Sequence, residues 1–161
     1  MSFLRFFMLL ALIVWIGGIV FFAFVEAPAV FTVLSSREMA GNVVSRSLAS
    51  LHWIGIVTGV IFLIASMLHN NIQHAQPKLF SASHILVFLM LLLTTISQFM
   101  ITSRMHALRA EMKTIDNISL TDARRVEFDR LHAWSTRLEG GTLLLGLGVV
   151  VLTARRFGNS K

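Results

Sequence analysis

Apolar residues dominate four stretches of the chain, at about residues 6–26, 48–68, 83–103 and 134–154, and polar residues gather between them. Each stretch is close to the roughly 20 residues a helix needs to cross the hydrocarbon of a bilayer. The gaps carry helix-ending and hydrophilic residues: Ser35-Ser36-Arg37-Glu38 and a linker running through Gly41-Asn42 to Arg46, a polar connector from His69 to Lys78, and Asp116-Asn117. Short connections make successive spans antiparallel neighbours, so the pattern predicts an all-α, integral membrane four-helix bundle running up-down-up-down, with residues 1–161 as a single domain.

Two of the helical patterns outrun the hydrocarbon. After span three the helix-compatible sequence continues through Arg104 and Arg109 toward Ile115, and before span four Val126, Leu131 and Leu138 form an amphipathic lead-in that Ser119 or Thr121 can cap. At 1.5 Å rise per residue, helices three and four extend beyond the membrane by roughly 10 to 18 Å. Span one continues as helix or tight turn to about Leu34, with Pro28 bending it or ending it.

Composition agrees with a membrane protein: 161 residues are 55% hydrophobic and 14% charged, with mean hydropathy +0.75. Arg5 before an apolar run resembles a secretory signal, but the run is long enough to span and Glu26-Ala27-Pro28-Ala29 lacks a small-x-small cleavage pattern, so a retained first span is expected. The absence of cysteine excludes thiolate metal sites, disulfides and thiol catalysis. A formal net charge of +6 without a basic, aromatic-interleaved stripe argues for anionic lipid headgroups rather than nucleic acid as the partner. The expected location is a bacterial inner membrane.

Threading the spans sorts the charges. Side A receives the N-terminus, the second connector and the C-terminus, with Arg5, Lys78, Arg155, Arg156 and Lys161; side B receives all 8 acidic residues and every other Lys and Arg. The Lys/Arg excess on side B points to the cytoplasm for that side, with both termini outside.

Depth then singles out a layer. Glu26, Arg104 and His132 fall near the side B boundary, with His52 roughly 6 Å and Glu139 roughly 8 Å inside it. Ionisable side chains in hydrocarbon need partners or an interior to face. His132, Ser135, Thr136 and Glu139 share one face of helix four, Thr94, Ser97 and Arg104 one face of helix three with Gln98 beside them, and Trp15, Phe22 and Glu26 one face of helix one. The candidate site is therefore Glu26, His52, Ser97, Gln98, Arg104, His132, Ser135 and Glu139. Gly55 and Gly59 make a small-x-x-x-small face next to His52, suited to close helix contact.

Two readings of this layer stand. One is a binding site: His52, His132 and Glu26 suit a divalent metal or haem iron, and the charged set suits a small charged ligand, although no local motif such as H-E-x-x-H supports metal. The other needs no ligand, with boundary salt bridges Arg104–Glu26 or Arg137–Glu139 and His52 bonded to a backbone carbonyl. A proton-coupled or small-solute transporter, which four spans would achieve as a homo-oligomer, and a non-catalytic membrane scaffold are the alternatives in function. His69, His74 and His84 form a second set on side A, expected to be solvated. The 8 methionines show no paired spacing and read as packing.

Trp15-Ile16-Gly17-Gly18 leading to Ala27-Pro28-Ala29-Val30-Phe31, Arg104-Met105-His106-Ala107-Leu108-Arg109, and Phe128-Asp129-Arg130-Leu131-His132-Ala133-Trp134-Ser135 resemble the transmembrane protein 205-like family, also described as domain of unknown function 4149. The resemblance covers nearly the whole chain and implies four membrane helices without implying a reaction. Relatives often carry a proline near the end of span three; this chain has none between Gln98 and Arg109.

Overall fold

The computed structural model describes residues 2–73, 81–112, 118–119 and 121–158, and these form four long helices with no strand among them. Helix α1 runs from Ser2–Phe21 through a π turn at Phe22–Glu26 into Ala27–Val33. Helix α2 is Arg37–Gln73. Helix α3 is Ala82–Ile96, a π turn at Ser97–Thr102, and Ser103–Met112, and α4 is Ala123–Gly158. Each is long and apolar enough to cross a membrane. Large apolar side chains such as Phe3, Ile13, Phe24, Phe88 and Leu144 point out of the bundle, as an acyl-chain solvent demands. The connector from His74 to Lys78 and the Asp116-Asn117 break lie outside the described residues.

The chain turns where its polar residues predict, with one exception. Leu34 leaves the helix in an extended conformation, and Ser36 starts α2 by accepting the Met39 N–H at its hydroxyl. The expected linker from Arg37 to Arg46 is instead the first turns of α2. Gly41 tolerates the helix because it is buried against the Arg109 guanidinium, where a β-carbon would lie 2.9 Å from Nη2. At α4 the cap is Asp122, not Ser119 or Thr121: its Oδ1 accepts the Arg124 N–H at 2.9 Å. Ser119 shapes the turn before it, its carbonyl accepting the Asp122 N–H at 3.0 Å.

Packing inside the bundle follows the small residues. A β-carbon at Gly55 would lie 2.4 Å from the Trp15 indole nitrogen and one at Gly59 2.6 Å from the same ring, so Trp15 fills the glycine face of α2. On the opposite seam Gly146 lets Ile16 of α1 and Met90 of α3 close on α4. Met8, Trp15, Phe62, Val87, Met90 and Val149 complete a dense core in the side A half. A smaller core of Leu108, Met112 and Phe128 holds the extensions of α3 and α4 together on side B. Burial gains little hydrophobic free energy inside lipid, so close van der Waals fit and satisfied polar groups carry the stability.

Candidate functional site

His52 belongs to the second turn of the apolar part of α2 and is almost fully buried, with 1% of its surface exposed. Both ring nitrogens are used. Nδ1 lies 2.8 Å from Gln98 Oε1 on α3, and Nε2 lies 2.5 Å from Glu139 Oε1 on α4. Three helices are thus tied by one imidazole. With Gln98 accepting at its amide oxygen, Nδ1 donates, and the short contact to Glu139 then holds one proton between imidazole and carboxylate. The pair is neutral overall whichever atom carries that proton.

The two π turns decide which neighbours join this pair. In α1 the Ala27 N–H bonds back to the Phe22 carbonyl, five residues away. One extra residue in a turn rotates everything beyond it by about 100°, so Trp15, Phe22 and Glu26 no longer share a face. Glu26 turns to a groove shared with Arg46, Ser47 and Ser50 on the outer side of the α1–α2 seam. In α3 the turn at Ser97–Thr102 aims Gln98 at His52 and turns Arg104 away. Arg104 makes a two-pronged ion pair with Glu127, at 2.9 and 3.0 Å, and lies 3.8 Å from Glu111. Neither boundary salt bridge anticipated from sequence forms: Arg104 does not meet Glu26, and Arg137 lies over the Trp134 ring at 5.3 Å rather than on Glu139.

The expected metal triad is not assembled. No three His, Asp or Glu side chains converge among the described residues. His52 has no ring nitrogen left for a metal or haem iron, and Glu26 faces another seam. Ser97 is buried within the bundle and its hydroxyl has no protein partner.

What the helices do enclose is a cavity of about 740 Å³ on the side B half. Ile16 touches α4 at Gly146, but beyond that contact α1 and α4 part, and Phe22 and Ala23 face Glu139 and Gly140 across open space. Its deep end is apolar, with Ile19, Leu48 and Leu143, and its polar wall is His132, Ser135, Thr136 and Glu139 of α4. His132, Ser135 and Glu139 of the predicted set therefore share one space, and His52 and Gln98 stand behind Glu139.

The shallow end holds residues outside the predicted set: Arg37, Ser45, His106, Arg109, Arg125 and Asp129. Arg109 Nη1 donates to the Gly41 carbonyl, Asn42 Oδ1 and Ser45 Oγ at 2.9 to 3.0 Å, and its guanidinium lies 5.3 Å from the Phe128 ring centre. Arg125 pairs with Asp129 at 3.1 Å. His106 was placed opposite Arg104 by straight-helix geometry, and that opposition, with Arg104 turned outward, is the signal that points it inward.

A family description, Domain of unknown function (DUF4149), matches residues 10–114. The chain belongs to that family. The match takes in α1, α2 and α3, with His52 and Gln98, and ends before α4. No curated protein and no solved structure matches the chain. Family membership agrees with a four-helix membrane protein and assigns no reaction.

On side A the histidines are structural rather than solvated. His84 is 5% exposed; its Nδ1 accepts the Ser81 N–H at 3.4 Å, leaving Nε2 to donate to Ser66 Oγ at 2.8 Å. His69 is buried as well, and Arg156 Nη1 donates to Asn70 Oδ1 at 3.2 Å. His74 lies outside the described residues.

Proposed function

We propose that this protein binds a small ligand within the membrane, in the cavity between α1 and α4, with Glu139 and His52 as a proton-bearing floor. The observation that carries the reading is the double engagement of Glu139: it lines a mostly apolar cavity on one side and bonds a fully buried imidazole on the other. A carboxylate in that position costs free energy unless its partner stabilises it, and the chain supplies that partner from a different helix. The volume lies within the about 300–1,000 Å³ of pockets that hold small molecules.

Binding fits better than passage. Below Glu139 the bundle is filled by Trp15, Phe62, Met90 and Val149, so the cavity ends blind, and transport would need a second arrangement of the helices. Metal and haem are not favoured as ligands, because the histidine with the deepest position has both nitrogens committed.

Dicyclohexylcarbodiimide, which is lipid-soluble and attacks protonated carboxyls, tests the site directly. In intact membranes it is expected to modify Glu139, and Gly140→Leu is expected to suppress that modification by filling the cavity. A β-carbon at Gly140 meets nothing within 4 Å, so the larger side chain fits the fold. An unmodified Glu139, or labelling that ignores Gly140→Leu, would overturn the proposal.

A further inference from the structure

We infer that the ligand is a single-chain amphiphile with a phosphate monoester headgroup, its chain in the apolar end of the cavity and its phosphate at Arg37 and Arg109. This rests on the cavity reading above and names the chemical class that the cavity takes.

The cavity is amphipathic along the membrane normal. Its deep end, between Ile19, Leu48 and Leu143, lies at hydrocarbon depth, whereas the arginines lie toward the headgroups. Ala23 and Gly140, on opposite lips of the gap between α1 and α4, are both exposed, so the gap opens sideways toward lipid. A chain can therefore enter from the leaflet without leaving the bilayer, while its headgroup stays at the side B surface.

Charge selects the headgroup. Arg125 is offset by Asp129, and the Glu139–His52 pair is neutral, but Arg37 makes no hydrogen bond or ion pair among the described residues. Arg109 donates only to neutral acceptors. Two positive charges at the mouth are thus without a carboxylate at contact distance, and a phosphate monoester carries about −1.5 to −2 at neutral pH. Guanidinium forks match phosphate oxygens in pairs, and Arg109 is already held in place by α2, so little side-chain freedom is lost on binding. His106 and His132 stand on the same walls as hydrogen-bond donors to the remaining oxygens.

The test is a titration of the full chain in phosphatidylcholine nanodiscs, read by native mass spectrometry, with three probes. Oleoyl-lysophosphatidic acid carries both features, oleoyl-lysophosphatidylcholine has the chain with a zwitterionic head, and glycerol 3-phosphate has the head without the chain. The expected result is one lysophosphatidic acid per chain, markedly weaker lysophosphatidylcholine, and no glycerol 3-phosphate at the same concentrations. Gly140→Leu should abolish binding, and Arg37→Gln, at an exposed position that holds no other group, should weaken it about fivefold. Equal binding of both oleoyl probes, with both blocked by Gly140→Leu, would overturn the headgroup class and leave the cavity reading standing. Lysophosphatidic acid binding that ignores Gly140→Leu, or no binding by any probe, would overturn both. A dimer that Gly140→Leu converts to monomer would overturn both as well, because a second copy would then occupy the gap.

Discussion

At the scale of single residues, His52 and Glu139 depend on each other. A carboxylate with an imidazole at 2.5 Å is a tolerable group near the edge of a bilayer, and the same carboxylate alone is not. His52→Ala strands Glu139 and leaves Gln98 without its partner, so a loss of about 3 kcal/mol or more is expected. Glu139→Gln keeps a hydrogen-bonding group of the same size beside Nε2 and should cost clearly less. Thermal unfolding of the two variants in the same detergent checks the order; a Glu139→Gln variant as unstable as His52→Ala would show that the charge itself, and not the stranded partner, sets the cost. A carboxylate and a histidine in apolar sequence announce themselves, so both were legible. Arg37, Arg109 and His106 were not, because charged residues in an amphipathic or polar stretch look alike until the backbone turns some of them inward.

At the scale of elements, the glycines of α2 and α4 look similar in sequence and differ in use. Gly55 lies under Trp15, where an added methyl has no room, and Gly55→Ala should destabilise the bundle by about 1 to 3 kcal/mol. Gly140→Ala meets nothing and should fall within about 0.5 kcal/mol of the parent. Unfolding of these two variants side by side separates packing from helix propensity. The start of α4 gives a pH prediction. The Arg124 side chain and N–H hold the Asp122 carboxyl down to about 2, so the cap favours the folded helix fully above the ordinary carboxylate range. Its contribution is lost as pH falls toward about 2, and exchange protection of the Arg124 amide should drop across that interval. Asp122→Asn should show no such drop. Helix existence and the ends at Ser36 and Ser81 were readable from polar breaks. The two π turns were not, since they follow from the fit of α1 and α3 to their neighbours and no proline or glycine marks Ser97–Thr102.

At the scale of the molecule, charge is distributed along the membrane normal. Every acidic residue belongs to the side B half of the threading, together with most of the Lys and Arg, and the ion pairs Arg104–Glu127, Arg124–Asp122 and Arg125–Asp129 all form there. The Lys/Arg excess predicts side B in the cytoplasm. The chain has no cysteine, so single substitutions report cleanly. Ser2→Cys should react with an impermeant maleimide in intact cells and Ser119→Cys only after permeabilisation; the reverse pattern would invert the orientation and place the cavity mouth on the outer face.

Hydrophobic length, helix count and the depth of each polar residue follow from the sequence by itself, because lipid admits only helices that satisfy their own backbone and because rise per residue converts position into depth. Depth correctly brought His52, His132, Ser135 and Glu139 to one layer. Direction around each helix was decided only by tertiary structure. A π turn costs little locally and is selected by packing, yet it rotates everything after it, which is why Glu26 left the layer, Arg104 turned outward, and Gln98 became the third partner of His52. The gap between α1 and α4 is likewise a property of two helices that touch at Ile16 and Gly146 and then separate, and no single stretch of sequence encodes a separation.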